Sequence, residues 1–119
     1  MALTPIIVGP YTIHHLPIDQ GADLIAELVA AVVGCFIMVL SVHIQGTPTG
    51  TVQFYSGALD PLTGAQPLAD TGGFSDWGFG VLPGGIPIPV MWTTKGEALN
   101  LVTVVSQAKG YLNWFYWGE

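Results

Sequence analysis

The sequence predicts an all-β protein, a single-domain antiparallel β-sandwich with a jelly-roll-like fold. Apolar and polar residues alternate over 35–45 and 51–57, which is the period of a strand with one buried face. Three further segments of strand composition follow at 89–94, 98–106 and 110–117. The 16 glycines and 9 prolines in 119 residues supply frequent turns. About six to eight short strands separated in this way are typical of a sandwich, and the length suits one domain.

The first part of the chain predicts an extended arm. Residues 1–20 contain Pro5, Pro10 and Pro17 among scattered apolar residues. Proline disrupts helices and is tolerated in extended or edge segments. We therefore expect an extended N-terminal arm or edge strand over 1–20 and the sandwich domain over 21–119.

The segment 22–33 fits two structures. Leu24 and Leu28 belong to an apolar stripe with helical spacing, and Asp23 could cap such a helix. A strand is equally compatible with these residues, and Gly34 would then make a turn. The pattern alone leaves both open.

The best strand prediction covers residues 35–45 and is followed by a turn and a second strand. The turn is the sequence GTPTG at 46–50, and the second strand is 51–57. The order strand, turn, strand predicts a β-hairpin. On the first strand, alternation predicts one apolar face that consists of Phe36, Met38, Leu40, Val42 and Ile44.

Glycine and proline dominate residues 57–89, so we expect an ordered loop with only short strands. These strands are predicted near 66–68 and at Phe74. Turns between the closing strands are predicted at 95–97 and 107–110.

The charge content is unusually low. Lys95 and Lys109 are the two cations, eight residues are acidic, and the net charge is −6. Only 8% of the residues are charged, against about a quarter in an ordinary domain, and 50% are apolar. Several predicted strands are apolar on both faces, whereas a two-layer sandwich buries one face of each sheet. We therefore expect partner chains to cover part of the surface, as in a homo-oligomer.

The same composition argues against two classes of partner. Two lysines and no arginine do not suit nucleic acid or anionic lipid, since both are bound through cations. Residues 28–42 are the one stretch that resembles a membrane span. They provide 15 uninterrupted apolar residues, fewer than the ~20 required, and no flanking lysine or arginine. We expect no membrane partner, and a small membrane protein is the less favoured alternative.

One short motif suggests an enzyme. Asp70-Thr71-Gly72 resembles the loop of retropepsin-like aspartic proteases, in which two carboxylates share a proton across a dimer axis. Gly73 stands where that family places a small residue other than glycine, and the preceding residues 67–69 make a poor strand. A turn is the favoured interpretation, so we predict no enzymatic activity and no catalytic residue.

The histidines and the cysteine have no spacing that indicates a metal or cofactor site. His14 and His15 are adjacent, whereas zinc ligands are separated by two or more residues. We expect these two and His43 to be surface or hydrogen-bonded core side chains. The single Cys35 lies in an apolar run, so we expect a buried structural thiol.

Six short motifs follow one another between Asp23 and Trp117. They are Val39-Leu40-Ser41, Phe54-Tyr55-Ser56-Gly57, Leu62-Thr63-Gly64, Leu68-Ala69-Asp70-Thr71-Gly72-Gly73, the block Trp92 to Leu101, and Gly110-Tyr111-Leu112. The most specific of them is the block that ends in Gly-Glu-Ala-Leu-Asn-Leu. In these motifs and their order, from about Asp23 to Trp117, the chain resembles a family of short proteins that decorate the heads of tailed bacteriophages and prophages.

The resemblance implies a β-sandwich, a strand over residues 24–32, a homotrimer and no catalytic residues. It implies a capsid decoration (cement) protein that binds the major capsid protein on the virion surface after synthesis in the host cytoplasm. The aromatic insertion at 77–87 and the N-terminal arm depart from the family pattern. A head-fibre base or tail component therefore stays an alternative.

We expect the contacts with partners to come from the arm, from an aromatic loop at 74–82 and from aromatic residues of the closing strands. Aromatic side chains between glycines suit an interface, because they bury much area and the backbone can approach closely. A sugar-stacking platform is the less favoured role for the aromatic C-terminal strand. The predicted interface residues are Ile6, Ile7, Tyr11, Phe74, Trp77, Phe79, Trp92, Trp114 and Tyr116.

Overall fold

Two antiparallel sheets make up the protein in a computed structural model, which describes residues 6–8, 11–77, 81–82 and 86–118. These residues contain strands and no helix, which confirms the all-β sandwich. The strands are β1 (Ile6–Val8), β2 (Tyr11–Gln20), β3 (Ile25–Val29), β4 (Cys35–Thr47), β5 (Gly50–Ser56), β6 (Asp60–Pro61), β7 (Gln66–Leu68), β8 (Gly73–Trp77), β9 (Val81–Leu82), β10 (Ile86–Pro87), β11 (Met91–Trp92), β12 (Leu99–Val104) and β13 (Gln107–Gly118).

The first sheet has the order β1-β2-β13-β4, and the far edge of β4 is shared by two short strands. β11 pairs with β4 near Met38, and β8 pairs with it from Ser41 to Gln45. The second sheet has the order β3-β12-β5, with β6 and β7 both paired to β5. β9 and β10 form a separate two-stranded ribbon.

Strand β2 contains half of the expected arm. It pairs with β1 over residues 11–13 and with β13 over residues 14–20. Its Ile18 and Gln20 are buried. Residues 11–20 are thus extended, as expected, but they are part of the sheet. Residues 1–5 and 9–10 of the arm lie outside the described residues.

The predicted hairpin is wrong. β4 belongs to the first sheet and β5 to the second, so the two strands do not pair and the short link between them crosses the sandwich. Val52 and Phe54 of β5 are fully buried in the shared core. A turn does lie within the GTPTG segment, but a turn can join strands of two different sheets as readily as two neighbouring strands of one sheet.

The single apolar face predicted for β4 is also wrong, because the strand contains a bulge. The pairing with β13 shifts register so that Ser41 faces Asn113 and Val39 faces Trp114, which leaves Leu40 as the extra residue. A bulge reverses the side-chain alternation beyond it. The buried core residues of β4 are therefore Ile37, Val39, Val42 and Ile44.

The ambiguous segment 22–33 contains the short strand β3 and no helix. Asp23 does not cap a helix. It adopts φ 55°, and its Oδ1 accepts a hydrogen bond from the backbone nitrogen of Val105 at 2.8 Å. This bond joins the start of β3 to the end of β12.

The turn predicted at 107–110 lies inside β13. The chain reverses instead at residues 105–106, where Val105 has φ 66°. A β-branched residue rarely adopts this conformation, so a valine at this position does not indicate a turn.

The core lies between the two sheets. It is formed by Ile18, Val29, Ile37, Val39, Val42, Ile44, Val52, Phe54, Leu68, Met91, Leu99, Leu101, Ala108 and Leu112. In the described part of the chain no helix has the length and hydropathy needed to cross a bilayer. The apolar stretch 28–42 is instead divided between β3, a turn and the first half of β4.

Candidate interaction surfaces

The structure places the predicted interface residues of the first strands on the edge and outer face of the first sheet. Ile6 and Ile7 are on β1, and the side chain of Ile7 is 73% exposed. Tyr11 is half-buried, and its ring lies 4.9 Å from that of the fully buried Phe115. Phe115 therefore lies under Tyr11 on the outer face of the sheet, outside the inter-sheet core.

The predicted residues of the aromatic loop occupy different environments. Phe74 is half-buried on β8 and packs against the core. Trp77 ends β8 opposite Ser41. Trp92 is 54% exposed on β11. Phe79 lies outside the described residues.

Trp114 and Tyr116 pack within the chain at one end of the inner face. The ring of Trp114 stacks on His14 at 4.5 Å and meets Tyr116 edge-on at 4.7 Å. The hydroxyl of Tyr116 donates a hydrogen bond to the carbonyl oxygen of Ala30 at 2.7 Å. Burial raises the pKa of Tyr116, and the nearby Cys35 and Glu27 add to the shift.

A row of histidine and tyrosine rings crosses the outer face of the first sheet. Tyr111 on β13 lies 5.3 Å from His15 on β2 and 5.6 Å from His43 on β4. His43 is hydrogen-bonded to Ser75. His15 is within 2.9 Å of the amide oxygen of Asn113. His15 is exposed and His43 is half-buried, and both side chains are hydrogen-bonded.

An exposed cluster that the sequence did not single out lies at the β2–β3 loop and the end of β12. We call it the apolar corner. Its members are Leu24, Ile25, Val104 and Val105, with exposed fractions of 50%, 76%, 48% and 52%. Ile25 pairs with Val102, and the backbone nitrogen of Thr103 donates to the Leu24 carbonyl, so the four residues lie on two neighbouring segments of the chain.

A second exposed group lies near the opposite end of the sandwich. Val33 is 96% exposed and Val32 41%, in the turn that leads into Cys35 and β4. Cys35 is the first residue of β4 and is half-buried, so the prediction of a buried thiol is wrong. The apolar residues that precede Cys35 in the sequence lie in this exposed turn.

The Gly-Glu-Ala-Leu-Asn-Leu block fastens the end of β5. Glu97 Oε1 accepts a hydrogen bond of 3.0 Å from the buried Ser56 hydroxyl. The side-chain amide of Asn100 donates to the Gly57 carbonyl at 2.6 Å, and the Gly57 nitrogen donates to the Ala98 carbonyl at 2.8 Å. The block and the Phe-Tyr-Ser-Gly element are therefore two halves of one contact.

The Asp-Thr-Gly motif forms a turn, as its composition predicted. The nitrogen of Thr71 donates to the Gly46 carbonyl, and the Gly46 nitrogen donates to the Gly72 carbonyl. The exposed carboxylate of Asp70 accepts a hydrogen bond from the hydroxyl of Thr47. These bonds attach the motif to the end of β4. Within the described residues, no three histidine, cysteine or acidic side chains are placed to hold a metal ion.

The chain matches no family model, no curated protein and no solved structure.

Proposed function

We propose that this chain is a bacteriophage capsid decoration protein, which binds an assembled shell as an oligomer and stabilises it without catalysis. The observation that carries the proposal is the apolar corner. Contiguous exposed apolar residues on a protein with few charges indicate a surface that packs against other protein.

The energetic argument rests on the exposure of the four corner side chains. Full burial of an aliphatic side chain contributes roughly 1.5–3 kcal/mol. Each corner residue has about half or more of its surface still exposed, so contact with a neighbour would contribute about 1 kcal/mol for each residue. The four residues together would then contribute about 4 kcal/mol to each contact with a shell, and each copy of the chain would make the same contact at an equivalent site.

The nature of the partner comes from the sequence resemblance to head decoration proteins. The motifs that carry the resemblance include the paired elements at Ser56 and Glu97, which join the end of β5 to the segment that leads into β12. A decoration protein needs a rigid body with apolar contact surfaces, and it needs no reactive group. The low content of charged residues agrees with a protein that works in an assembly.

The oligomeric state is a separate part of the proposal. The exposed group at Val32 and Val33 and the edge residue Ile7 offer surfaces for self-association at a distance from the corner. We expect a trimer, which multi-angle light scattering on the purified chain would measure. A stable monomer at micromolar concentration would contradict this part of the proposal.

Shell binding is tested with expanded shells, from the phage or prophage that encodes the chain, that lack this protein. Purified chain is mixed with the shells and sedimented, and the temperature of shell disruption is recorded. We expect saturable co-sedimentation and a higher disruption temperature. Binding to tails or fibres but not to shells would support the alternative virion role, and no binding to any virion part would refute the proposal.

A further inference from the structure

A pocket opens at the side of the sandwich where β11 of the first sheet lies across from β6 of the second. It has a volume of about 330 Å³. Met91, which lines it, belongs to the inter-sheet core, and Leu62 and Val90 pack against that core. Pro61 and the half-exposed Trp92 complete the lining, and none of the described residues that line the pocket is charged. The pocket is therefore an open part of the apolar core, and it suits an apolar side chain.

The loop between β3 and β4 presents an uncharged apolar tip. Residues 30–33, Ala-Ala-Val-Val, are all exposed, and we call them the valine tip. Val33 is 96% exposed, more than any other large apolar side chain in the described part of the chain.

A hydrogen-bonded turn holds the valine tip away from the sandwich. The backbone nitrogen of Cys35 donates to the carbonyl oxygen of Val32 at 3.0 Å, and Gly34 adopts φ 80° as the third residue of this turn. A Cβ added at Gly34 would meet no atom within 4 Å, so the turn projects from the described chain. The exposed positions of turns favour glycine, proline and small polar residues. Valine there contributes almost no burial to its own fold, so the valine tip indicates burial against another surface.

Charge selects the valine tip among the exposed apolar groups that a second copy could offer. Each copy has a net charge of −6, and the exposed Asp60 adjoins the pocket on β6, so a segment that carries an acid would be repelled. Leu59 is followed directly by Asp60, and the apolar corner has the exposed Asp23 between its two segments. Ile7 lies within the paired strand β1 and not at a turn. The valine tip carries no charge and projects, so it can enter the pocket without bringing a second carboxylate to Asp60.

We propose that the pocket receives the valine tip of a second copy of this chain, with Val33 packed against Leu62 and Trp92. The contact joins two different surfaces, so it is heterologous, and heterologous contacts generate closed rings when the rotation between copies permits. Three copies in a ring would each use one tip and one pocket, whereas a two-fold dimer would pair like surfaces. The inference rests on the proposed function in one respect, because it identifies the contact that builds the proposed trimer.

The first experiment removes the tip from the contact and measures the mass of the full chain by multi-angle light scattering at micromolar concentration. Val33→Asp should convert the trimer into a monomer, because a carboxylate in the apolar pocket loses its hydration beside Asp60. Val33→Ala should weaken each contact about tenfold, since two methyl groups are removed. The control is Ile25→Asp, which changes an exposed aliphatic residue of the apolar corner and should leave the trimer intact. Circular dichroism should show that all three variants remain folded.

The second experiment shows which surfaces meet, and it needs no loss of association. Cys35→Ser is made in every copy, so that the introduced thiols are the only ones. Copies with Val33→Cys are mixed with copies with Pro61→Cys and oxidised mildly, and intact mass separates mixed disulfides from like pairs. We expect the mixed disulfide to predominate. Ile25→Cys mixed with Pro61→Cys is the control and should give no more than background cross-linking.

Three results would overturn the contact: a trimer that survives Val33→Asp, like pairs that predominate at either position, or no mixed disulfide above the control. Its failure is separable from that of the proposed function. A trimer built through other surfaces, with shell binding intact, leaves the proposed function in place and removes this contact. A mixed disulfide and a trimer without shell binding leave this contact in place and remove the shell role. A monomeric unchanged chain overturns the contact and the proposed trimer together.

Discussion

Substitution of Ser56 by alanine tests the contact that joins the two most recognisable sequence elements. Ser56 is fully buried at the end of β5. Its hydroxyl donates to the carboxylate of Glu97 at 3.0 Å and accepts from the backbone nitrogen of Thr94 at 2.8 Å. Alanine fits the same space but leaves the carboxylate oxygen and the N–H group without this partner.

The magnitude follows from the two hydrogen bonds. A hydrogen bond to a charged group contributes about 1.5–3 kcal/mol and a neutral one about 1 kcal/mol. Ser56→Ala should therefore lower the free energy of unfolding by about 3 kcal/mol. For a domain of this size, about 4 °C is lost per kcal/mol, so Tm should fall by about 12 °C.

Urea denaturation followed by tryptophan fluorescence measures the change, with m unchanged if only stability is affected. Thr12→Ala is the control, because this hydroxyl-bearing residue is exposed on β2, and it should change stability by less than about 1 kcal/mol. Equal stability of Ser56→Ala and the control would show that the contact does not hold the end of β5 in place.

Three further predictions concern the sheet, pH and the apolar corner. Gly110→Ala should destabilise the fold by more than about 3 kcal/mol, since a Cβ there would collide with the backbone carbonyl of His43. Because the pKa of Tyr116 is raised in the folded state, the stability that its protonated hydroxyl contributes is fully present below the unfolded value of 10.0 and is lost as pH rises through the folded-state pKa. Denaturation at pH 8 and pH 11 should therefore show a smaller loss of stability with pH for Tyr116→Phe than for the unchanged chain. The double variant Ile25→Ser/Val104→Ser should remain folded and weaken shell binding about 30-fold, from about 1 kcal/mol per residue.

Each of these three predictions has its own control. Gly64→Ala, where an added Cβ meets no atom within 4 Å, should be close to neutral, and equal effects at the two glycines would contradict the close approach at Gly110. An identical pH dependence with and without the Tyr116 hydroxyl would contradict its role. Leu59→Ser removes an exposed leucine outside the corner. If it weakens shell binding as much as the double variant does, the corner is not the contact surface.

The sequence was sufficient for the fold class and for strands with a simple alternation. Val52 and Phe54 alternate with polar residues, and both are buried as predicted. The short strand at 66–68 was also predicted correctly. Alternation succeeds here because β5 has one face in the core and no bulge.

Where prediction failed, the missing information was tertiary. β4 is apolar in both alternations before Leu40, so its sequence did not show that a bulge at Leu40 reverses the side-chain alternation. The reversal at Val105 depends on a left-handed valine whose backbone nitrogen donates a hydrogen bond to Asp23 of the β2–β3 loop. The apolar corner was missed because its members come from two segments that are distant in sequence, and neither segment alone indicates that they are neighbours in the fold.

The most direct test of the proposed capsid role is the quantity of this chain in virions purified from cells that carry its gene. Mass spectrometry with labelled peptide standards gives the number of copies relative to the major capsid protein. Our account predicts that the chain is present at a fixed ratio to the major capsid protein and remains on the shell after tails are removed. Absence of the chain from virions would contradict the account.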